Sequence, residues 1–236
     1  MGAPLSFSLV IKQGRPRRGP YRPLNSNYTN GNGLRVQFGC GFHAPSGWRN
    51  FDASPTLRFE RLPLLGRAYV RNAQRFPSNV EFGDIVKGLP LAPSSCVAIY
   101  ASHVLEHLSL NDFHTALKHS FTLLRSGGLF RLVVPDLEAL ANRYLSSTDS
   151  SAAKAFMEET SLGVAHRIRG IRGFMSLWLG NSSHLWMWDF KALQEELSDV
   201  GFLDIQRCTF GDNPVFSDVE QQDRFVNSVA VQGRKP

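Results

Sequence analysis

Leu34-Arg-Val-Gln-Phe-Gly-Cys-Gly-Phe-His43 is the stretch whose reading decides the fold. Leu34, Val36 and Phe38 alternate with polar residues and run straight into Gly39-Cys40-Gly41. A period of two predicts a strand. A strand that ends in Gly-x-Gly lets a ligand approach bare backbone, because neither glycine carries a Cβ. In an open α/β sheet, ligands bind at the carboxyl end of such a strand. On these residues alone an ordinary strand-to-loop turn is the better reading, so the weight falls on what surrounds them.

Downstream, Asn50–Ala53 reads as a second short strand ending at Asp52. The gap from the glycine turn is near the lower limit for a crossover containing a helix, which predicts a loop or a single turn. Residues 56–76 read as one or two short helices broken at Pro63, with arginines 58, 61, 67, 71 and 75 on the solvent face. Asn79–Asp84 is a third strand ending in Gly83-Asp84, and Ser95–Ser102 is an apolar run typical of a strand buried on both faces. His103-Val-Leu-Glu-His-Leu108 follows at once. Ser109 then caps a helix with Leu110, Phe113, Leu117, Phe121 and Leu124 at helical spacing, stopped by Ser126-Gly127-Gly128. Leu129–Val134 is the next strand, and Asp136 caps the helix after it.

Residues 146–188 read as an insertion, helical over Ala152–Ser161 and ending in the unusual Ser183-His-Leu-Trp-Met-Trp-Asp189. Asp189 caps a helix that Gly201 ends; Asp204–Cys208 and Phe225–Val231 are strands flanking an acidic loop at 211–224. Strand–helix alternation predicts a parallel, doubly wound sheet, with the final two strands as an antiparallel edge hairpin.

Composition narrows the class. A chain of 236 residues, 42% hydrophobic and 19% charged, suits one soluble domain with room for an insertion. No apolar run reaches the ~18 residues of a membrane span, and the N-terminus lacks a signal peptide's apolar region. Cys40, Cys96 and Cys208 are odd in number, widely spread and without a C-x-x-C pair. They argue against disulfides and against a metal site, and for a reducing, cytoplasmic compartment. Of the net charge of +6, all is contributed by residues 1–35, which hold six basic residues and no acid. We read residues 1–33 as a basic, Gly/Pro-rich arm and 34–236 as the folded domain. Residues 36–236 are neutral, with 20 basic and 20 acidic residues, which argues against nucleic acid as the domain's partner. Met1–Ser6 formally fits a myristoylation pattern ahead of that basic patch, but so loose a match is common by chance.

Four features thus fall at successive strand ends: Gly39-Cys40-Gly41, Asp52, Gly83-Asp84 and Ala101-Ser102-His103. In a parallel sheet all four line one crevice. An Asp after the second strand can accept two ribose hydroxyls, and one after the third can accept an exocyclic adenine amine. No lysine or arginine stands at the glycine turn, so the set fits a nucleoside-bearing cofactor without phosphate.

At these residues the chain resembles the class I S-adenosylmethionine-dependent methyltransferases. In particular it is similar to a bacterial group with L-x-x-G-C-G (within Leu34–Gly41), G-W-x-N-x-D (Gly47–Asp52), S-H-V-L-E-H (Ser102–His107) and L-x-x-G-G-x-x-R-x-x-V-P-D (Leu124–Asp136). The resemblance implies a Rossmann-like sheet of seven strands, the last antiparallel, with helices on both faces. It also implies S-adenosylmethionine as cofactor, met by Phe38, Gly39, Cys40, Gly41, Asp52, Ala53, Gly83, Asp84, Ile85, Ala101, Ser102 and His103. Gln37 and His43 stand where the broader superfamily often has an acid and a third glycine. The missing third glycine also counts against a nicotinamide dehydrogenase.

A hydroxyl or amine acceptor needs a base, for which histidine suits. The candidates are His103, His107 and His184, with Glu106 as a hydrogen-bond partner. Trp186 and Trp188 either close over a substrate or pack against the sheet. A small-molecule, glycan or lipid-precursor acceptor heads the reading. The alternatives are a cofactor-binding regulatory protein without chemistry, and an RNA methyltransferase using the basic arm.

Overall fold

The computed structural model describes residues 33–62, 74–163 and 183–236. The N-terminal arm with its myristoylation pattern, the break at Pro63, Arg67, Arg71 and the arginine–glycine stretch at 167–172 lie outside the described residues.

Seven strands form one sheet: β1 (Leu34–Phe38), β2 (Arg49–Asp52), β3 (Val80–Phe82), β4 (Cys96–Ser102), β5 (Leu124–Pro135), β6 (Leu203–Cys208) and β7 (Ser228–Arg234). Their order is β3-β2-β1-β4-β5-β7-β6. β1 to β5 pair in parallel, while β7 is antiparallel to both β5 and β6. The chain therefore reverses direction of travel across the sheet between β1 and β4, the point at which such a sheet opens a crevice.

The helices are α1 (Pro55–Glu60), α2 (Leu110–Leu123), α3 (Leu137–Ser146), α4 (Ala152–Glu159) and α5 (Phe190–Val200). Their starts follow from side-chain caps: Ser54, Ser109, Asp136 and Asp189 each accept a backbone N–H of the first turn. Gly201, at φ 106°, closes α5 in the left-handed conformation. α2 and α5 bury Phe113, Leu117, Leu193 and Leu197 in one continuous core with Val36, Phe38, Phe130 and Phe202. Trp48, Tyr100, Val133 and Ala230 form a second core cluster with Phe216 and Val219, which belong to the loop between β6 and β7.

The final two strands form the expected antiparallel hairpin at the sheet edge, with β7 beside β5 and β6 outermost. One local expectation needs correction. Residues Gln222–Phe225 form a 3₁₀ turn, and Asn227 at φ 56° turns the chain before β7 begins at Ser228. Arg58 and Arg61 are exposed, as expected, and also make contacts: Arg58 lies over the Phe82 ring at 4.4 Å, and Arg61 donates to the carbonyls of Pro77 (2.7 Å) and Val80 (3.3 Å). The β1–β2 connection is a turn without a helix, as its length requires.

Candidate functional site

At the β1–β4 switch point lies a cleft lined by Gln37–Cys40, His43, Tyr100 and Ser102, roofed by Val219, Gln221 and Arg224 of the β6–β7 loop. The glycine turn forms its floor. Gly39 has φ 65° and Gly41 φ 53°, the left-handed region that favours glycine. A Cβ on Gly39 would run into the Val104 side chain, whereas one on Gly41 would meet nothing within 4 Å. Gly39 is therefore a packing glycine and Gly41 the exposed one. Gly83 resembles Gly39, since a Cβ there would meet the Phe51 ring at 2.6 Å.

Asp52 is buried, and its two oxygens are each engaged by backbone: Oδ2 accepts from Gly41 N at 3.0 Å and Oδ1 from Ser54 N at 2.7 Å. The carboxylate thus ties the glycine turn to the end of β2, with a second lone pair left on each oxygen. Asp84 accepts from Val86 N (3.0 Å) and from Lys87 Nζ (2.7 Å). Gln37, in the superfamily's acidic position, is buried and donates to Asn50 Oδ1 at 2.7 Å and to the His43 carbonyl. Burial and then the neighbouring Asp52 carboxylate push the Cys40 thiol up to about 12. Among the described residues the hydroxyls of Tyr100 and Ser102 are buried beside the cleft without a well-formed hydrogen bond. Buried hydroxyls beside the cleft and a glycine turn with open space at Gly41 fit a nucleoside cofactor with a polar tail.

His103 follows β4 directly and has φ 53°, a conformation that non-glycine residues hold only where the surroundings fix it. Its Nε2 lies 2.9 Å from the Arg224 carbonyl, and its Nδ1 lies 3.3 Å from Glu106 Oε1. A carbonyl and a carboxylate both only accept, so both ring nitrogens face acceptors. Burial lowers the pKa of His103, but the Glu106 carboxylate and the Arg224 carbonyl outweigh it and leave it above the ordinary value. Both ring nitrogens thus face oxygen acceptors, an arrangement that favours the protonated ring and does not suit it to receive a proton.

Glu106 is fully buried, and neither carboxylate oxygen has a well-formed hydrogen bond among the described residues. His107 Nε2 and His184 Nε2 each stand 4.0 Å from its Oε1, with the two rings 5.0 Å apart between centroids. His107 Nδ1 donates to the Ser183 carbonyl at 3.1 Å. Burial holds the His184 pKa below the ordinary value, opposed by the Glu106 carboxylate. The Glu106 carbonyl accepts from Leu185 N (2.8 Å) and Trp186 N (3.1 Å), which fastens the 183–186 segment to the turn after β4. The two tryptophans divide: Trp188 stacks on Phe113 at 4.1 Å and is buried, while Trp186 is exposed.

The structure brings Phe38–Cys40, Ser102 and His103 together around the cleft and its rim, and gathers His103, His107 and His184 on Glu106. Arg224 and Gln221 escaped the sequence reading, because nothing in a loop's composition says which strand ends it will cover.

Residues 63–132 match a family model described as a methyltransferase domain. The chain is also similar to solved structures. A SAM-dependent methyltransferase of Archaeoglobus fulgidus is 13% identical, with 88% of each chain covered and a TM-score of 0.44. One of Thermotoga maritima is 16% identical over 86% of this chain and 83% of that one, with a TM-score of 0.46. Human N-acetylserotonin methyltransferase, in complex with SAM, is 14% identical over 85% of this chain and 47% of that one, with a TM-score of 0.42. No curated protein sequence matches. The match to a methyltransferase-domain model over residues 63–132 and the observed strand order agree with the fold that the resemblance to the class I methyltransferases implies. Among the described residues no helix is long and apolar enough to cross a membrane.

Proposed function

We propose that this chain is a class I methyltransferase that transfers the sulfonium methyl of S-adenosylmethionine to an oxygen or nitrogen of a small-molecule, glycan or lipid-precursor acceptor, a reading supported by its fold and by the family match over residues 63–132. One observation carries the reading: the cleft at the β1–β4 switch point and the Glu106-centred histidine cluster meet at consecutive residues, Ser102 and His103. Cofactor and acceptor chemistry are thereby adjacent. Gly41, Asp52 and Ala53 serve the ribose, Gly83, Asp84 and Ile85 the adenine, and Phe38–Cys40 with Ala101–His103 the methionine end. Arg224, on the roof, supplies the cation for the methionine carboxylate. Methyl transfer is an in-line displacement, so holding the acceptor atom against the methyl carbon is the main catalytic task. His103, with both nitrogens committed, is a positioning residue rather than the base; the acceptor's proton leaves toward His107 or His184.

Calorimetric titration with S-adenosylmethionine and with its demethylated product tests the cofactor half. Binding by the wild type and a loss of ~1.5–3 kcal/mol in Asp52→Ala are expected, as for a charge-assisted hydrogen bond. No binding, or unaltered binding in that variant, would sink the assignment. Incubation with isotopically labelled S-adenosylmethionine and a metabolite extract, read by mass spectrometry, identifies the acceptor.

A further inference from the structure

We infer that Glu106, His107 and His184 form a binding site for one divalent transition-metal ion of the zinc class. One ligand atom from each of the three lies within 4.8 Å of the other two. Around a zinc ion with bonds of ~2.0–2.1 Å, tetrahedral ligands stand about 3.4 Å apart. The observed 4.0 Å from Glu106 Oε1 to each histidine Nε2 therefore closes with roughly half an ångström of side-chain movement.

Hydrogen bonding alone leaves this cluster unsatisfied. A buried carboxylate is costly unless it is paired and hydrogen-bonded, yet both Glu106 oxygens lack a well-formed bond among the described residues. His107 gives its Nδ1 proton to the Ser183 carbonyl at 3.1 Å, which leaves Nε2 as the atom turned toward the carboxylate. Two histidine Nε2 atoms and a buried carboxylate oxygen that converge at 4.0 Å with no hydrogen bond between them are what a cation relieves. The Ser183 bond is also the kind that orients a metal-ligating histidine, its second nitrogen held by a carbonyl. His103 Nδ1, 3.3 Å from the same Oε1, helps to orient Glu106. The ligands come from two distant parts of the chain, held in register by the Leu185 and Trp186 amides on the Glu106 carbonyl.

Two imidazoles and one carboxylate are donors that suit zinc, and a three-ligand set leaves a position open, as catalytic sites do. Resting on the methyl-transfer reading, that position would take the acceptor's hydroxyl or amine and make its proton easier to lose to solvent, His107 and His184 then serving as ligands in place of a base. The site itself does not depend on that reading. The absence of paired cysteines, which argued against a metal, is no obstacle to a site built from histidine and glutamate.

The full-length protein, stripped with chelator and dialysed, is titrated with Zn²⁺ by calorimetry and loaded with Co²⁺ for visible spectroscopy. One ion per chain is expected, with affinity weakened at least ~10-fold in each of Glu106→Gln, His107→Ala and His184→Ala. His114→Ala, which removes a histidine paired with Glu196 at 2.9 Å, leaves it unchanged. Circular dichroism confirms folding. No ion bound by the folded wild type, or full affinity in all three variants, overturns the site. Should those variants fail to fold, X-ray absorption of the zinc-loaded wild type decides: a nitrogen and oxygen shell supports the site, and a shell containing sulfur overturns it. S-adenosylmethionine binding, measured on the same stripped protein, reports separately on the methyltransferase reading.

Discussion

Replacing Arg131 is expected to destabilise the protein by about 3–5 kcal/mol, the cost of leaving a buried partner charge uncompensated. Arg131 stands in the middle of β5 with no exposed surface. It donates to Glu220 Oε1 at 2.6 Å, Asp212 Oδ1 at 2.7 Å and Gln232 Oε1 at 2.9 Å, and lies 4.6 Å over the Phe216 ring. Glu220 has no exposed side-chain surface, whereas Asp212 keeps 33%. The Glu220 pair therefore carries the cost, and the half-solvated Asp212 pair contributes less than ~1 kcal/mol. At ~2–4 °C per kcal/mol for a domain of this size, Arg131→Met lowers Tm by roughly 6–20 °C. Urea unfolding followed by circular dichroism measures the same quantity independently. Arg131→Met combined with Glu220→Gln should recover at least half of the loss, since no buried charge is then unpaired. A single-variant loss under about 1 kcal/mol, or a double variant no better than the single, would refute the argument. Glu220 and Asp212 belong to the loop whose Val219, Gln221 and Arg224 roof the cleft, so the folded fraction of Arg131→Met should also bind S-adenosylmethionine more weakly.

Other substitutions separate packing from ligand contact. Gly39→Ala drives a Cβ into Val104 and should cost ~1–3 kcal/mol in urea unfolding, partly restored by adding Val104→Ala; no restoration would contradict the contact. Gly41→Ala, with open space around it, should cost only the ~1–2 kcal/mol of its left-handed φ. Cys40, raised to about 12, stays a thiol at neutral pH, so its alkylation by iodoacetamide should climb about tenfold per pH unit above pH 8. Asp52→Asn removes one cause of that shift and should speed the reaction at fixed pH; peptide mapping that finds Cys40 as reactive at pH 8 as a free thiol would exclude it. Asp136 accepts from the amides of Glu138 (3.0 Å) and Ala139 (3.3 Å), and Asp136→Ala should lower stability by ~1–2 kcal/mol, read from Tm.

What the sequence made legible is what the chain settles locally. Alternation through Leu34–Phe38, the apolar run at Cys96–Ser102 and the capping residues Ser109, Asp136 and Asp189 each act within a few residues, and each stands where it was expected. The placement of β7 beside β5 was not legible, because antiparallel pairing satisfies an edge or an interior position with the same sequence pattern. Glycines show the limit well. Gly39, Gly41 and Gly83 look alike in sequence, yet two make room for Val104 and for Phe51 and only Gly41 faces open space. His103 shows it in chemistry: its position after β4 made it a candidate base, and the acceptor its Nε2 meets is the Arg224 carbonyl, 121 residues away in sequence. Motif position can nominate a histidine, but the groups that face its two nitrogens are set by tertiary folding. Within Ser102–His107, Glu106 is the group on which all three rings converge.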